Sequence, residues 1–286
     1  MASRVIGIIG SGTMGSGIAQ LAAQNGYDVI IRDVETDLVQ DGLNRIHKNL
    51  IEAEDQDIVD DADAVFDRVT GTADLTDVTD DASFVVEAAP EQMDLKKEIF
   101  EELDTNTDPD VVLGSNTSSL SITEIATATD HPERVLGTHF FNPPVKMKLV
   151  ELVTGHHTSD DTLARAEELA ENLGRDNIVV DDFPGFATSR LGLVLGMEAA
   201  RMVQEGVASA EDIDTAMELG YNHPMGPLKL GDYNGWDVRV EVGEYLAEEF
   251  GSDVYRPPQI VKKMVRAGDY GVKSGQGFYD WDDESE

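Results

Sequence analysis

The sequence predicts an α/β protein, a doubly wound, mostly parallel sheet followed by an all-helical second domain, and three observations carry that expectation. The first is a short apolar run, Val5-Ile6-Gly7-Ile8-Ile9, that leads into Gly10-Ser11-Gly12-Thr13-Met14-Gly15 and then into a helical pattern. The second is the repetition of apolar strand and amphipathic helix up to about Asp182. The third is the loss of strong strand signals beyond Pro184-Gly185, where long helical periods take over.

The opening run has the length of a buried parallel strand. After it, Gly10 permits a tight turn, Gly12 lets the backbone approach a pyrophosphate, and Gly15 lets the helix pack on the strand, while Thr13 and Met14 enter a helix whose first amides face an anion. Ile18, Leu21 and Ala22 give that helix an apolar face, and Gly26 ends it. Asp28-Val29-Ile30-Ile31-Arg32-Asp33 then reads as the second strand. Strand, glycines, helix, strand and terminal acid together form a Rossmann-type nucleotide signature. A carboxylate at Asp33 would accept hydrogen bonds from an adenine ribose diol and repel a 2′-phosphate, which favours NAD over NADP. The neighbouring Arg32 is the one feature that suits a phosphate.

Val39, Leu43, Ile46 and Leu50 repeat at helical spacing, so a helix is expected from Glu35 to about Glu54. Phe84-Val85-Val86-Glu87 and Val111-Val112-Leu113-Gly114 are short strands, each followed by a helical segment, and Ser121 with Glu124 has the spacing of a capping box. The last strand of this domain is Asn177-Ile178-Val179-Val180, after a helix from Asp160 to Leu173 that Gly174 terminates. Beyond the boundary, Arg190 to Glu205 carries Leu191, Val194, Leu195, Ala199, Met202 and Val203 around much of its circumference, which predicts burial on several sides. Ser209 with Asp212 caps the next helix, where Ile213, Ala216 and Met217 form an apolar face. The expected domains are residues 1–183 and 184–286.

One segment between these elements carries acid-base chemistry. An apolar run, Arg134-Val135-Leu136-Gly137, delivers Thr138-His139-Phe140-Phe141 into an Asn142-Pro143-Pro144 turn, and a second short strand, Lys148 to Val153, carries Glu151. A histidine titrates near neutrality, and an adjacent carboxylate fixes its tautomer and stabilises the imidazolium, so the pair suits a general base. By itself His139 suits a hydrogen-bonded core histidine equally well. The other histidines are less suggestive: His156-His157 lies in a polar loop, His131 precedes a proline, His47 lies on the polar side of a helix, and His223 sits in a turn.

Taken in order, these motifs resemble the L-3-hydroxyacyl-CoA dehydrogenases, most closely the short branch acting on 3-hydroxybutyryl-CoA. The resemblance runs along nearly the whole chain through Gly10 to Gly15, Val86-Glu87-Ala88-Ala89-Pro90-Glu91 with Lys96-Lys97, Ser115-Asn116-Thr117-Ser118-Ser119-Leu120, the His139 and Glu151 segments, Pro184-Gly185-Phe186, and Asn222-His223-Pro224-Met225-Gly226-Pro227-Leu228. It implies that His139 exchanges the proton of the substrate 3-hydroxyl while Glu151 pairs with it. It implies further that Ser118 bonds the reacting oxygen, that Asn142 belongs to the catalytic set, and that Glu91, Lys96 and Asn116 line the NAD site. The substrate would be an acyl-CoA entering between the domains, and the second domain would form a homodimer. Ser189 departs from the pattern: relatives usually carry an asparagine there that reaches the substrate, and a hydroxyl is shorter with one donor instead of two. A nucleotide-binding relative without turnover, acting as a sensor or structural protein, and a dehydrogenase of a non-CoA hydroxy acid are the alternatives.

Composition narrows the class. With 286 residues and 41% hydrophobic content the chain can bury a sizeable core, and no stretch is long and apolar enough to predict a membrane helix. No secretory signal pattern is visible at the amino terminus, so a cytoplasmic protein is expected. The absence of cysteine excludes disulfides and thiolate chemistry, and no ligand cluster suggests a metal. The 57 acidic residues against 21 basic ones leave a formal charge of -36, spread through segments such as Asp55-Gln56-Asp57, Asp60-Asp61-Ala62-Asp63 and Asp80-Asp81. That distribution fits adaptation to high salt, and it disfavours nucleic acid, which needs a basic patch.

Overall fold

Apolar runs such as Val5–Ile9 and Phe84-Val85-Val86 have no polar face to turn to water, so they fold where both faces are covered. The computed structural model describes residues 5–281, and the chain divides into one compact unit ending at Phe183 and another beginning at Pro184.

In the first unit the elements run in chain order as β1 (Val5–Ile9), α1 (Thr13–Gln24), β2 (Asp28–Arg32), α2 (Thr36–Asp55), α3 (Ala62–Phe66), β3 (Val69–Thr72), α4 (Thr76–Thr79), β4 (Phe84–Glu87), α5 (Met93–Asn106), β5 (Val112–Ser115), α6 (Ile122–Ala126), β6 (Val135–Phe140), β7 (Leu149–Thr154), α7 (Asp160–Asn172) and β8 (Asp176–Asp181). They form one eight-stranded sheet in the order β3-β2-β1-β4-β5-β6-β7-β8. Pairing is parallel from β3 through β6, reverses between β6 and β7, and is parallel again between β7 and β8. The Rossmann-type, mostly parallel sheet expected from the sequence is therefore present. Its chain direction switches outward from β1, which pairs with β2 on one side and β4 on the other. In such sheets ligands settle outside the carboxyl ends at that switch.

Burial follows the predicted faces. Ile18, Leu21 and Ala22 of α1 and Val39, Ile46 and Leu50 of α2 are all buried against the sheet. Three short elements, α3, β3 and α4, lie where no element was expected. Asp61, which read as one more solvated acid, accepts the Ala64 amide and caps α3, while only Val69 of the edge strand β3 is buried. The capping box at Ser121 is half formed. Ser121 accepts the Glu124 amide, but the Glu124 carboxylate turns to Lys97 at 2.6 Å.

The second unit is helical: α8 (Thr188–Gln204), α9 (Ala210–Tyr221), α10 (Pro227–Asn234), α11 (Trp236–Phe250) and α12 (Gln259–Ala267). Ala199, Ala200, Ile213, Leu228, Trp236 and Val261 form its centre. Two buried aspartates organise it. Asp214 accepts the first amides of α10, from Leu228 and Lys229, and the Tyr279 hydroxyl. Asp232 accepts the indole N–H groups of Trp236 and Trp281 and the amides of Phe278 and Tyr279, which fastens the carboxyl-terminal segment to the helices. Two expectations fail here. Leu191 and Leu195 of α8 are 67% and 43% exposed, so within one chain that helix buries one face and not several, and Ala216 of α9 is exposed as well. Periodicity reports how apolar residues are arranged, not how many neighbours surround them.

Candidate active site

The antiparallel reversal brings His139 and Glu151 together. Directly opposed residues of an antiparallel ladder project to the same face, and the register sets His139 opposite Glu151. The His139 Nδ1 atom lies 2.6 Å from a Glu151 carboxylate oxygen, with Glu151 wholly buried and His139 nearly so. A carboxylate only accepts, so Nδ1–H donates to Glu151. The Phe141 ring lies against the imidazole, 4.5 Å between centroids.

The neighbouring strand end is tied to this one. Asn116, just past β5, accepts the Phe140 amide through its side-chain oxygen at 2.9 Å and donates its own amide to the Glu87 carbonyl at 2.7 Å. Glu91 gathers the following loop: one of its carboxylate oxygens accepts the Thr117 hydroxyl, the Ser118 amide and the hydroxyls of Ser118 and Ser119. Ser118 is thus held beside the β5 and β6 ends by a fixed carboxylate. Lys96, which a surface helix position would leave solvated, is wholly buried. Its ammonium lies 2.6 Å from Glu87 and 3.7 Å from Glu91.

Glu87 is the residue of this group that sequence reasoning gave no role. It is wholly buried at the end of β4 and accepts three donors, from Lys96, the Ala89 amide and the Ser115 hydroxyl. A carboxylate terminating an otherwise apolar strand is the signal that could have found it.

The glycine loop occupies the carboxyl end of β1. Gly10 has φ +98°, and a Cβ there would meet the Ala88 carbonyl at 2.7 Å; at Gly15 it would meet the Gly10 carbonyl. Gly12 differs, since a Cβ there would point into open space with no atom within 4 Å. That clear approach, and a helix whose first turn no side chain caps, are what a diphosphate on the α1 amides requires. Thr13 is exposed beside it and Met14 half-buried. Asp33 follows β2, where its carboxylate accepts the Ser11 amide and hydroxyl, both at 2.7 Å, and the Val34 amide at 2.8 Å. Burial opposes its ionisation, but the hydrogen bonds from Ser11 and Val34 and the charge of Arg32 outweigh it and hold the carboxyl below the usual range. The loop and Asp33 together fit a dinucleotide with an unmodified ribose.

Two candidates remain. Asn142 is exposed in the turn after β6, at a cis peptide bond to Pro143, and Ser189 is half-buried in the first turn of α8, in the second unit. His156 and His157 are exposed, His47 contacts Asp63 at 2.9 Å, and His131 leans on Asp104. A cavity of about 440 Å³ lined by Pro109, Asp110, Glu133, Arg134 and Arg165 lies at the amino ends of β5 and β6, away from His139. Its arginines are occupied by Asp104 and by backbone carbonyls.

Known proteins resemble the chain in both units. A family model described as 3-hydroxyacyl-CoA dehydrogenase, NAD binding domain, matches residues 5–183, and one described as 3-hydroxyacyl-CoA dehydrogenase, C-terminal domain, matches residues 185–281. The chain is 40% identical over 278 residues to a 3-hydroxybutyryl-CoA dehydrogenase of Bradyrhizobium diazoefficiens, covering 96% of this chain and 94% of that one. It is 43% identical over 274 residues to a probable 3-hydroxybutyryl-CoA dehydrogenase of Deinococcus radiodurans, covering 96% and 98%. Among solved structures, the (S)-3-hydroxybutyryl-CoA dehydrogenase of Ralstonia eutropha matches with a TM-score of 0.93 at 40% identity, covering 98% of this chain and 99% of that one. With both domains matched and relatives aligned over almost their full length, the chain belongs to the NAD-dependent 3-hydroxyacyl-CoA dehydrogenases, a family of oxidoreductases.

Proposed function

We propose that this protein interconverts a short L-3-hydroxyacyl-CoA, 3-hydroxybutyryl-CoA, and its 3-oxo ester, with His139 as the proton-transfer group and Glu151 as its partner. The observation that carries this reading is the 2.6 Å contact between them inside a rigid two-stranded register. In the oxidative direction the His139 Nε2 lone pair takes the 3-hydroxyl proton, and Glu151 stabilises the imidazolium so formed. NAD, held by Gly10, Gly12, Thr13, Met14, Gly15, Asp33, Glu91 and Asn116, supplies the hydride acceptor when bound, while Lys96, wholly buried, acts from behind them on Glu87 and Glu91. As the alkoxide develops, Ser118 donates to the oxygen, turning its hydroxyl from Glu91, which keeps the Thr117 hydroxyl and the Ser118 amide. Asn142 completes the polar set, and Ser189 serves where relatives place an asparagine, with a bridging water making up its shorter reach.

The test is NADH oxidation followed by absorbance in molar KCl with acetoacetyl-CoA, a longer 3-oxoacyl-CoA and free acetoacetate. Turnover is expected with acetoacetyl-CoA and not with the free acid, and Ser189→Asn should keep or raise it. NADH binding without wild-type turnover, with activity gained only in Ser189→Asn, would favour a sensor or structural role; equal turnover of free acetoacetate would favour a non-CoA hydroxy acid.

We also infer a salt-adapted, cytoplasmic homodimer joined through the second unit. Support for the salt reading is that Asp55, Asp57, Asp60, Asp61, Asp63, Asp80 and Asp81 are all exposed in a chain of net charge -36. Their mutual repulsion reaches about 10 Å at 0.1 M salt and about 3 Å at 1 M. Support for the dimer is the exposed apolar surface of Leu191, Leu195, Leu219 and Tyr221. In molar KCl, sedimentation should give twice the 31.1 kDa chain mass, and dilution to low salt should cost both circular dichroism and activity. A monomer would count against the interface, and salt-independent activity against the adaptation.

A further inference from the structure

The adenosine end of the nucleotide site contains a hydrogen-bond conflict. Ser11 is 3% exposed, and its hydroxyl lies 2.7 Å from one Asp33 oxygen and 2.8 Å from the Leu38 carbonyl of α2. Both neighbours accept, and a hydroxyl has one proton, so Ser11 satisfies one of them at a time. On the Asp33 side the same oxygen also accepts the Ser11 amide, and the other accepts the Val34 amide. A carboxylate offers about four acceptor positions, and a ribose diol brings two donors. With three positions taken by Ser11 and Val34, one remains. The two amides are fixed by the backbone. The Ser11 hydroxyl is the donor with a second acceptor already within reach.

We propose that Ser11 is a specificity-determining residue for the cofactor: its hydroxyl competes with the adenine ribose for Asp33, and turning to Leu38 admits the second ribose hydroxyl. This rests on the reading of Asp33 as the ribose acceptor. The surrounding packing keeps the alternatives discrete. A Cβ on Gly42 of α2 would lie 2.7 Å from the Ser11 Cβ, so the helix sits directly on the loop. The Ser11 carbonyl is in turn gripped by the Ser16 hydroxyl at 2.7 Å and by Arg45 at 3.0 Å. The backbone of Ser11 is therefore anchored to α1 and α2 while its hydroxyl chooses between two partners. Helix α2 senses the nucleotide through Leu38, and Asp33 keeps a donor that offsets its charge when no ribose is present.

Ser11→Ala retains the Cβ that packs on Gly42 and removes only the competing donor. Quenching titrations in molar KCl with NADH, its 2′,3′-dideoxyadenosine analogue and NADPH test the proposal in wild type, Ser11→Ala and Asp33→Ala. The alanine variant should bind NADH roughly two- to tenfold more tightly, the span of one hydrogen bond, and bind the dideoxy analogue as wild type does. It should also widen the preference over NADPH, because Asp33 has lost a donor that offsets its charge. Asp33→Ala should weaken NADH and narrow that preference. If Ser11→Ala weakens NADH, or shifts NADH and the dideoxy analogue alike, Ser11 only supports the loop and the proposal falls. If Asp33→Ala leaves NADH binding unchanged, the ribose reading falls first and the competition with it. Ser11→Gly, which also lacks the hydroxyl, repeats the comparison should the alanine variant not fold.

Discussion

Replacing His139 by glutamine is expected to lower the turnover of acetoacetyl-CoA by about 10²–10⁴-fold, the usual share of a positioned acid-base group, while leaving the NADH dissociation constant unchanged. Glutamine is close in size and can still donate from its amide toward Glu151, so the buried acceptor keeps a partner. What it lacks is a lone pair that takes a proton near neutrality. NADH should be unaffected because the glycine loop and Asp33 sit at the carboxyl ends of β1 and β2, several strands from the β6–β7 register that holds His139. Steady-state rates and a fluorescence titration on the same preparation check both halves. Unchanged turnover would remove His139 from the mechanism, and a parallel loss of NADH binding would point to a disturbed site.

The second large effect concerns stability. Lys96→Met should destabilise the protein by about 3–5 kcal/mol, because it strands the wholly buried Glu87 carboxylate with only the Ala89 amide and the Ser115 hydroxyl as donors. That is a large part of the roughly 5–15 kcal/mol that holds a typical domain folded. Removing both charges, as Lys96→Met with Glu87→Gln, should recover much of the loss, since an absent pair costs far less than a broken one. Denaturant unfolding in molar KCl measures both. A single variant within about 1 kcal/mol of wild type would mean that Glu87 finds another partner or is reached by water.

How much of this was legible depends on what each feature needs. The strands and helices of the nucleotide half follow from local periodicity, so β1, α1, β2 and α2 fall within a residue or two of expectation. The edge strand β3 escaped notice because Val-Thr-Gly-Thr has one buried side chain and no alternation to read. Lys96 and Lys97 show the limit more clearly. They are adjacent on one helix and alike in sequence, yet Lys96 is sealed against Glu87 while the Lys97 side chain stays 30% exposed beside Glu124. Only a contact nine residues away along the chain tells them apart. For His139 and Glu151 both strands were visible, but their direction and register were not, and those set the 2.6 Å contact. Ser11 had no role in the sequence reading, and its conflict of acceptors exists only once α2 lies on the loop.

The central claim, that His139 and Glu151 act as one unit in proton transfer, is tested most directly by a double-mutant cycle on turnover with acetoacetyl-CoA. His139→Gln, Glu151→Gln and the double variant would be compared with wild type at saturating NADH. If Glu151 acts through His139, the double variant should be about as impaired as His139→Gln alone, the non-additivity expected of residues that work together. Losses that multiply, with Glu151→Gln impairing the His139→Gln background as much as it impairs wild type, would contradict the pair.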